Sequence, residues 1–82
     1  MSSEDLLVRW MRERDESAFR EIMSLHAPMV FATSRRILGN EFEAEEVTQE
    51  CFETLATTHR PGGYLGAWLH RVATNQIGRA HV

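Results

Sequence analysis

The sequence predicts an all-α protein, a compact bundle of about four helices that forms a single domain over its 82 residues. Apolar residues recur at steps of three and four along most of the chain, and no stretch shows the alternation of a strand. The hydrophobic fraction of 43% is ordinary for a folded globule. No apolar run approaches the length of a membrane span.

The first two helices are separated by the polar segment RERD. The apolar stripe of the first helix consists of Leu6, Leu7, Trp10 and Met11. Asp15 is placed to cap the second helix, whose apolar positions continue to Ile37. Pro28 lies inside this second run. Because proline lacks an N–H and crowds the preceding turn, we expect a kink near Pro28 or a short break at residues 25–27.

The last two helices are bounded by residues that favour helix ends. Gly39 should end the second helix, and Asn40 with Glu43 has the spacing of a capping box for the third. We expect the third helix from about Glu41 to Thr57 and the fourth from about Leu65 to Ala80. The segment HRPGGY between them is a loop, because proline and two glycines break a helix. Their expected buried positions are Ala44, Val47, Cys51, Phe52 and Leu55, and then Leu65, Trp68, Leu69, Val72, Ala73 and Ile77.

Charge is distributed unevenly along the chain, although the net charge is only −3. Residues 1–36 carry six acids and six arginines, residues 37–53 carry six acids and no base, and residues 54–82 carry three arginines and no acid. The acidic block indicates either a solvated helix face or a docking surface for a basic partner. The basic end, with its amides and tyrosine, could contact phosphates and bases, although three arginines alone predict weak binding.

Enzymatic and metal-binding motifs are absent from the sequence. Cys51 lies between apolar neighbours, so we expect a core residue rather than a nucleophile. As the single cysteine, it also excludes an internal disulfide. The histidines lack the short paired spacing of a metal site; they are His26, His59, His70 and His81. The sequence therefore predicts a binding protein with no catalytic residue, metal or cofactor.

Three motifs occur in a fixed order: RRILGN leads into AEEVTQECF, and AWLHRVATN follows after a short loop. In this order and spacing they resemble region 2 of the extracytoplasmic-function sigma factors, the smallest members of the bacterial sigma-70 family. The resemblance extends from about Asp5 to Asn75. It implies a compact helical domain that binds RNA polymerase and promoter DNA.

The acidic third helix carries the polymerase-binding positions that the resemblance implies. In the family this helix docks on the clamp-helix coiled coil of the β′ subunit of core RNA polymerase. The matching positions here are Glu45, Glu46, Gln49, Glu50 and Glu53. Glu46 and Glu50, with Gln49 beside them, are the strongest candidates for contact, whereas Glu41 and Glu43 suit capping and the helix dipole. An anti-sigma factor is a further candidate partner.

The loop and the fourth helix carry the DNA-binding positions that the resemblance implies. In the family this part recognises the promoter minus-ten element, mainly on the non-template single strand, and captures a flipped base. The candidates here are Arg60, Tyr64, His70, Arg71, Asn75 and Arg79. Because polymerase supplies much of the DNA affinity, few arginines would suffice. The acidic, polar N-terminus is unlike a secretory signal and the single cysteine fits a reducing compartment, so we expect a cytoplasmic protein.

The sequence departs from the family pattern in its extent and in its loop. Family members usually continue into region 4, which reads the minus-thirty-five element, whereas this chain stops at Val82; we expect an excised domain or a truncated chain. Two glycines in RPGGY occupy positions where polar residues are frequent, which leaves the captured base open. An alternative function is an all-α regulatory adaptor that uses the acidic face and binds no DNA. A duplex-reading helix-turn-helix is disfavoured, because HRPGGYLG is longer than its tight turn.

Overall fold

The second helix lies at the centre of the fold. The computed structural model describes residues 2–59 and 61–80, and the secondary structure in these ranges is four α-helices. They are α1 (Ser3–Glu13), α2 (Glu16–Leu38), α3 (Glu41–Thr57) and α4 (Leu65–Ala80). Helix α2 packs against each of the other three, and α3 also packs against α4. The predicted all-α bundle is confirmed, with the bounds expected for α3 and α4.

Short polar side chains begin the first two helices by satisfying their free N–H groups. Ser2 and Asp5 form a capping box: the Asp5 N–H donates to Ser2 Oγ at 3.2 Å, and the Ser2 N–H donates to the Asp5 carboxylate at 3.4 Å. Asp15 Oδ1 accepts from the N–H groups of Ser17 at 3.0 Å and Ala18 at 3.4 Å. The predicted cap at Asp15 is confirmed.

The Asp15 carboxylate also joins α1 to α2 through side-chain bonds. Ser17 Oγ donates to it at 2.9 Å, and the Arg9 guanidinium forms an ion pair with it at 2.5 Å. Both bonds favour the charged carboxylate, and that from Ser17 has the larger effect. They lower the pKa of Asp15 from 3.8 to about 2.

The helix ends predicted at the junction between α2 and α3 are confirmed, whereas only the Asn40 half of the predicted capping box is formed. Gly39 ends α2 with a φ of +70°, in the left-handed region that glycine adopts at little cost, and its N–H donates to the Arg35 carbonyl at 2.9 Å. Asn40 begins α3, because its side-chain oxygen accepts from the Glu43 N–H at 2.9 Å. A two-residue connection therefore places the acidic helix directly against α2.

Helix α2 continues through Pro28 without interruption, so a break at residues 25–27 is wrong. Proline removes the donor to the Ser24 carbonyl, but side chains on both sides of it hold the helix in place. Ile22 and Val30 are both fully buried, and tertiary packing of this kind outweighs the loss of one helical bond. The kink near Pro28 stays a prediction.

One hydrophobic core receives side chains from all four helices. Its fully or almost fully buried aliphatic members include Leu6, Ile22, Val30, Leu55, Leu65 and Leu69. Trp68 is only 8% exposed, so its predicted place in the core is confirmed. Ser34 is buried among these groups, and its hydroxyl donates to the Val30 carbonyl at 2.8 Å. That bond satisfies the polar group and avoids the cost of burying an unpaired donor.

Candidate functional site

Helix α3 buries one face and exposes a row of glutamates on the other. Ala44, Val47, Cys51, Phe52 and Leu55 are buried, as the helical spacing predicted. The five candidate polymerase-binding residues are all exposed; they are Glu45, Glu46, Gln49, Glu50 and Glu53. None of these carboxylates forms an ion pair with any residue that the structure describes. Their charge is therefore available to a partner.

A groove of about 820 Å³ lies between α2 and α3. The apolar part of its surface comes from Phe19, Met23, Ala27, Pro28 and Phe31 of α2 and from Phe42, Phe52 and Ala56 of α3. Its polar residues are Glu45, Glu46, Thr48, Gln49 and Glu53. Below, "the groove rim" means the four exposed polar residues Glu45, Glu46, Gln49 and Glu53. An apolar floor with an anionic rim is suited to an amphipathic basic helix.

The groove divides the predicted polymerase-binding residues into two groups. Four of the five form the rim, whereas Glu50 does not line the groove. Around the axis of a helix with about 3.6 residues per turn, Glu53 lies roughly 20° from Glu46 in the direction of the groove. Glu50 lies roughly 40° from Glu46 in the opposite direction. The sequence favoured Glu46, Gln49 and Glu50 together, whereas the groove has Glu53 beside Glu46 and Gln49 in place of Glu50.

Several groove residues escaped the sequence analysis. Phe42 is 70% exposed at the groove, although it lies between two glutamates and outside the apolar stripe of α3. That position off the stripe is a signal that could have identified it. Phe19 followed the apolar spacing of α2 and so indicated a core residue, whereas Phe31 lies outside that spacing. Only the packing of α2 on α3 shows that their rings reach a surface groove.

The outward face of α4 carries the candidate DNA-binding residues that the structure describes. Tyr64, just before the helix, is 76% exposed. The others are also exposed, namely His70, Arg71, Asn75 and Arg79. Arg60 lies outside the described residues. Thr74, which the sequence analysis omitted, is exposed on the same face, and its hydroxyl donates to the His70 carbonyl.

The Cys51 thiol lies inside the interface between α3 and α4. Its residue is fully buried, and Sγ is 4.0 Å from the Leu69 carbonyl oxygen. Burial, and to a lesser degree the nearby Glu50 carboxylate, raises the pKa of Cys51 from 9.0 to about 11. A buried thiol with a raised pKa is a poor nucleophile, which supports the predicted core role.

Within the described ranges, none of the four helices combines the length and the apolar character that a membrane span requires.

Comparison with known proteins identifies the family. The family model for sigma-70 region 2 matches residues 22–81. The ECF RNA polymerase sigma factor SigE of Mycolicibacterium smegmatis is 38% identical over 58 residues, which is 67% of this chain and 22% of that protein. The ECF RNA polymerase sigma factor SigW of Bacillus subtilis is 28% identical over 71 residues, covering 83% of this chain and 38% of that protein. No solved structure gave a significant match.

The matched segment includes most of α2 and all of α3, the two helices that form the groove, and it also includes α4. The chain therefore belongs to the sigma-70 family, a family of transcription initiation factors, as region 2 of an extracytoplasmic-function sigma factor. The resemblance inferred from the three motifs is confirmed. The chain spans well under half the length of these two curated relatives.

Proposed function

We propose that this domain docks on core RNA polymerase through the α2–α3 groove and recognises single-stranded minus-ten DNA through Tyr64 and α4. The proposed polymerase partner is the clamp-helix coiled coil of the β′ subunit, and the proposed place of action is the cytoplasm. The observation that carries the proposal is the apolar groove with an anionic rim, in a chain of the sigma-70 family.

The groove supplies two kinds of interaction that a basic amphipathic helix would need. Its apolar floor can bury the nonpolar stripe of such a helix, which provides most of the affinity. The groove rim can pair with arginine or lysine beside that stripe and so fix orientation and accelerate association. Because the rim is exposed to solvent, its contribution should weaken as salt is added.

The outward face of α4 offers groups suited to an unpaired DNA strand. Arg71 and Arg79 can contact phosphates, the Asn75 amide can bond to base edges, and the exposed Tyr64 ring can stack on a base. No acidic residue occurs in α4, so phosphates meet no like charge along it. From Tyr64 to Arg79 the helical rise gives a face roughly 22 Å long.

Charge reversal at the groove tests polymerase docking. Glu46→Arg combined with Glu53→Arg should weaken binding to core RNA polymerase by roughly tenfold or more, because attraction at the rim becomes repulsion. Affinity is measured at low and physiological salt. Glu21→Arg combined with Glu16→Arg is the control, since these exposed α2 residues change the charge equally and lie outside the groove. Equal affinity of both double variants would reject the groove as the docking site.

The apolar floor is tested separately from the charge. Phe42→Ser should weaken polymerase binding, because Phe42 lines the groove and is 70% exposed. Ile37→Ser is the control, since Ile37 is 51% exposed but does not line the groove. Binding that Phe42→Ser leaves intact, or that Ile37→Ser reduces equally, would contradict burial of a partner in this groove.

DNA recognition is tested with a single strand that the unmodified chain, bound to core polymerase, selects from a randomised pool. Asn75→Ala and Tyr64→Ala should each weaken binding to the selected strand more than to its scrambled version, because base readout and stacking are lost. Equal losses on both strands would reject specific readout by these residues. A chain that selects no sequence while still binding polymerase would support the adaptor function instead.

A further inference from the structure

Glu4 of α1 and Arg14, its C-cap residue, form hydrogen bonds at the two ends of the loop that precedes α4. This loop, residues 58–64, carries Tyr64 at its end. On the α3 side, Arg14 Nη1 donates to the Ala56 carbonyl at 3.1 Å. On the α4 side, Glu4 Oε1 accepts from the Leu65 N–H at 3.3 Å. The two bonds link the loop to residues that are distant in sequence.

Both bonds fall on backbone groups that a helix cannot satisfy by itself. Ala56 has one of the last four carbonyls of α3, and Leu65 has the first N–H of α4. Tyr64 precedes α4 but has no short side-chain oxygen of the kind that caps a helix. Leu65 is itself fully buried, so loss of a partner for its N–H would be costly. A carboxylate at a helix start and a guanidinium at a helix end also have the signs that the helix dipole favours.

Helix α1 is itself held in place near both of these bonds. Next to Glu4, Ser3 Oγ is hydrogen-bonded to His26 Nε2 of α2 at 2.8 Å. The His26 ring also faces Gly66, in the first turn of α4, because a Cβ added at Gly66 would lie 3.8 Å from the ring. At the other end, the Arg14 guanidinium lies 4.7 Å from the centre of the Trp10 ring. Because the Trp10 ring in turn packs on Phe19 of α2, with ring centres 4.6 Å apart, α1 is fixed to α2 close to each of its contacts with the loop ends.

We propose that α1 is a positioning element for DNA recognition, in which Glu4 and Arg14 hold the two ends of the loop and so set the position of Tyr64. This rests on the proposed function, which gives the loop its role in binding a single strand. Gly62 and Gly63 have no side chain with which this part of the loop could pack from within. Fixing the loop ends in advance lowers the entropy that DNA binding must overcome.

Amide hydrogen exchange tests the proposed bond directly. In Glu4→Ala the Leu65 N–H should exchange roughly tenfold faster, as expected for loss of a charge-assisted bond, while Glu4→Gln, which keeps an acceptor, should be intermediate. Asp5→Asn is the control: Asp5 lies in the same first turn of α1 and belongs to its capping box, but its bonds are to Ser2. Equal acceleration in Asp5→Asn, or none in Glu4→Ala, would overturn the proposal.

Binding measurements test what the bond does. Glu4→Ala and Arg14→Gln should lower the affinity for the selected single strand roughly threefold or more. The affinity falls in proportion to the fraction of molecules whose loop is in the position that binds DNA. Affinity for core polymerase should stay unchanged, which general destabilisation would not allow. Glu13→Ala and Arg12→Gln are matched controls, since both residues are exposed on α1 and neither bonds to the loop ends in the described structure.

The outcomes separate the two proposals. If the unmodified chain shows no preference for any single strand, the DNA part of the proposed function fails and the positioning role fails with it. If the unmodified chain prefers one single strand, and Glu4→Ala together with Arg14→Gln binds that strand with full affinity, only the positioning role is overturned. Reduced DNA affinity with unchanged polymerase affinity supports both.

Discussion

The Cys51 thiol should be almost unreactive in the folded protein. Burial raises its pKa from 9.0 to about 11, with a smaller contribution from Glu50. Because the reactive species is the thiolate, a two-unit rise lowers its fraction near pH 8 by roughly 100-fold. The residue is also 0% exposed, so a reagent reaches it only when the structure opens. The native rate should therefore be at least roughly 100-fold below that of an exposed thiol.

Labelling with an aromatic disulfide reagent at pH 8 measures this rate from the released chromophore. The chain has one cysteine, so the signal comes from that thiol alone. Thr57→Cys in a Cys51→Ala background provides the exposed reference, because Thr57 is exposed on the same helix. The unmodified chain should react at the reference rate only in denaturant. Native labelling as fast as the reference would refute the buried placement of Cys51.

The pH dependence of stability supplies a second check on the same thiol. Its folded pKa is raised, so its contribution to stability is complete below pH 9 and is lost as pH rises toward about 11. Cys51→Ala should lack this alkaline component in urea unfolding. Because Sγ contacts the Leu69 carbonyl, slow residual labelling also reports the separation of α3 from α4.

Three other predictions concern stability. The pKa of Asp15 is lowered from 3.8 to about 2, so its charged carboxylate stabilises the fold above pH 3.8, and this stabilisation is lost as the pH falls toward 2. In Asp15→Asn the stability should therefore depend less on pH in that range. Gly39→Ala should destabilise by about 1 kcal/mol because its φ is +70°, whereas Gly78→Ala, inside α4 with open space around the new Cβ, should stabilise by about 1 kcal/mol. Urea unfolding that gives both glycine variants the same sign would contradict this. Trp10→Phe should lower the free energy of unfolding, measured by thermal unfolding, by less than about 1 kcal/mol, because Trp10 Nε1 is buried without a hydrogen-bond partner among the described residues. A loss above about 2 kcal/mol would indicate that Nε1 does have a hydrogen-bond acceptor.

Local chemistry made the helix bounds predictable. Asp15 and Asn40 have short side-chain acceptors, and Gly39 tolerates the left-handed conformation, so each marks a helix end without reference to the rest of the fold. The break expected at Pro28 failed for the opposite reason. Propensity is local, but the burial of residues on both sides of the proline is a property of the assembled bundle.

The candidate site was only partly predictable for the same reason. Spacing alone placed Glu45, Glu46 and Gln49 on an exposed helix face. The choice between Glu50 and Glu53 depends on the side on which α2 packs, and the apolar stripe of α3 alone does not specify that side. The bond from Glu4 to Leu65 joins residues 61 positions apart, and a glutamate in a first helical turn is ordinarily explained by the dipole.

The burial of Leu6 has a consequence for building chimaeras between sigma factors. The family match begins at residue 22, so a crossover chosen from sequence similarity would exchange most of α2 together with α3 and α4 and leave α1 behind. Leu6 is only 1% exposed within the common core, where a leucine contributes roughly 1.5–3 kcal/mol to a domain whose total stability is about 5–15 kcal/mol. A foreign α1 would bring a side chain shaped for another core. Hybrids should therefore inherit α1 from the same parent as α2, α3 and α4.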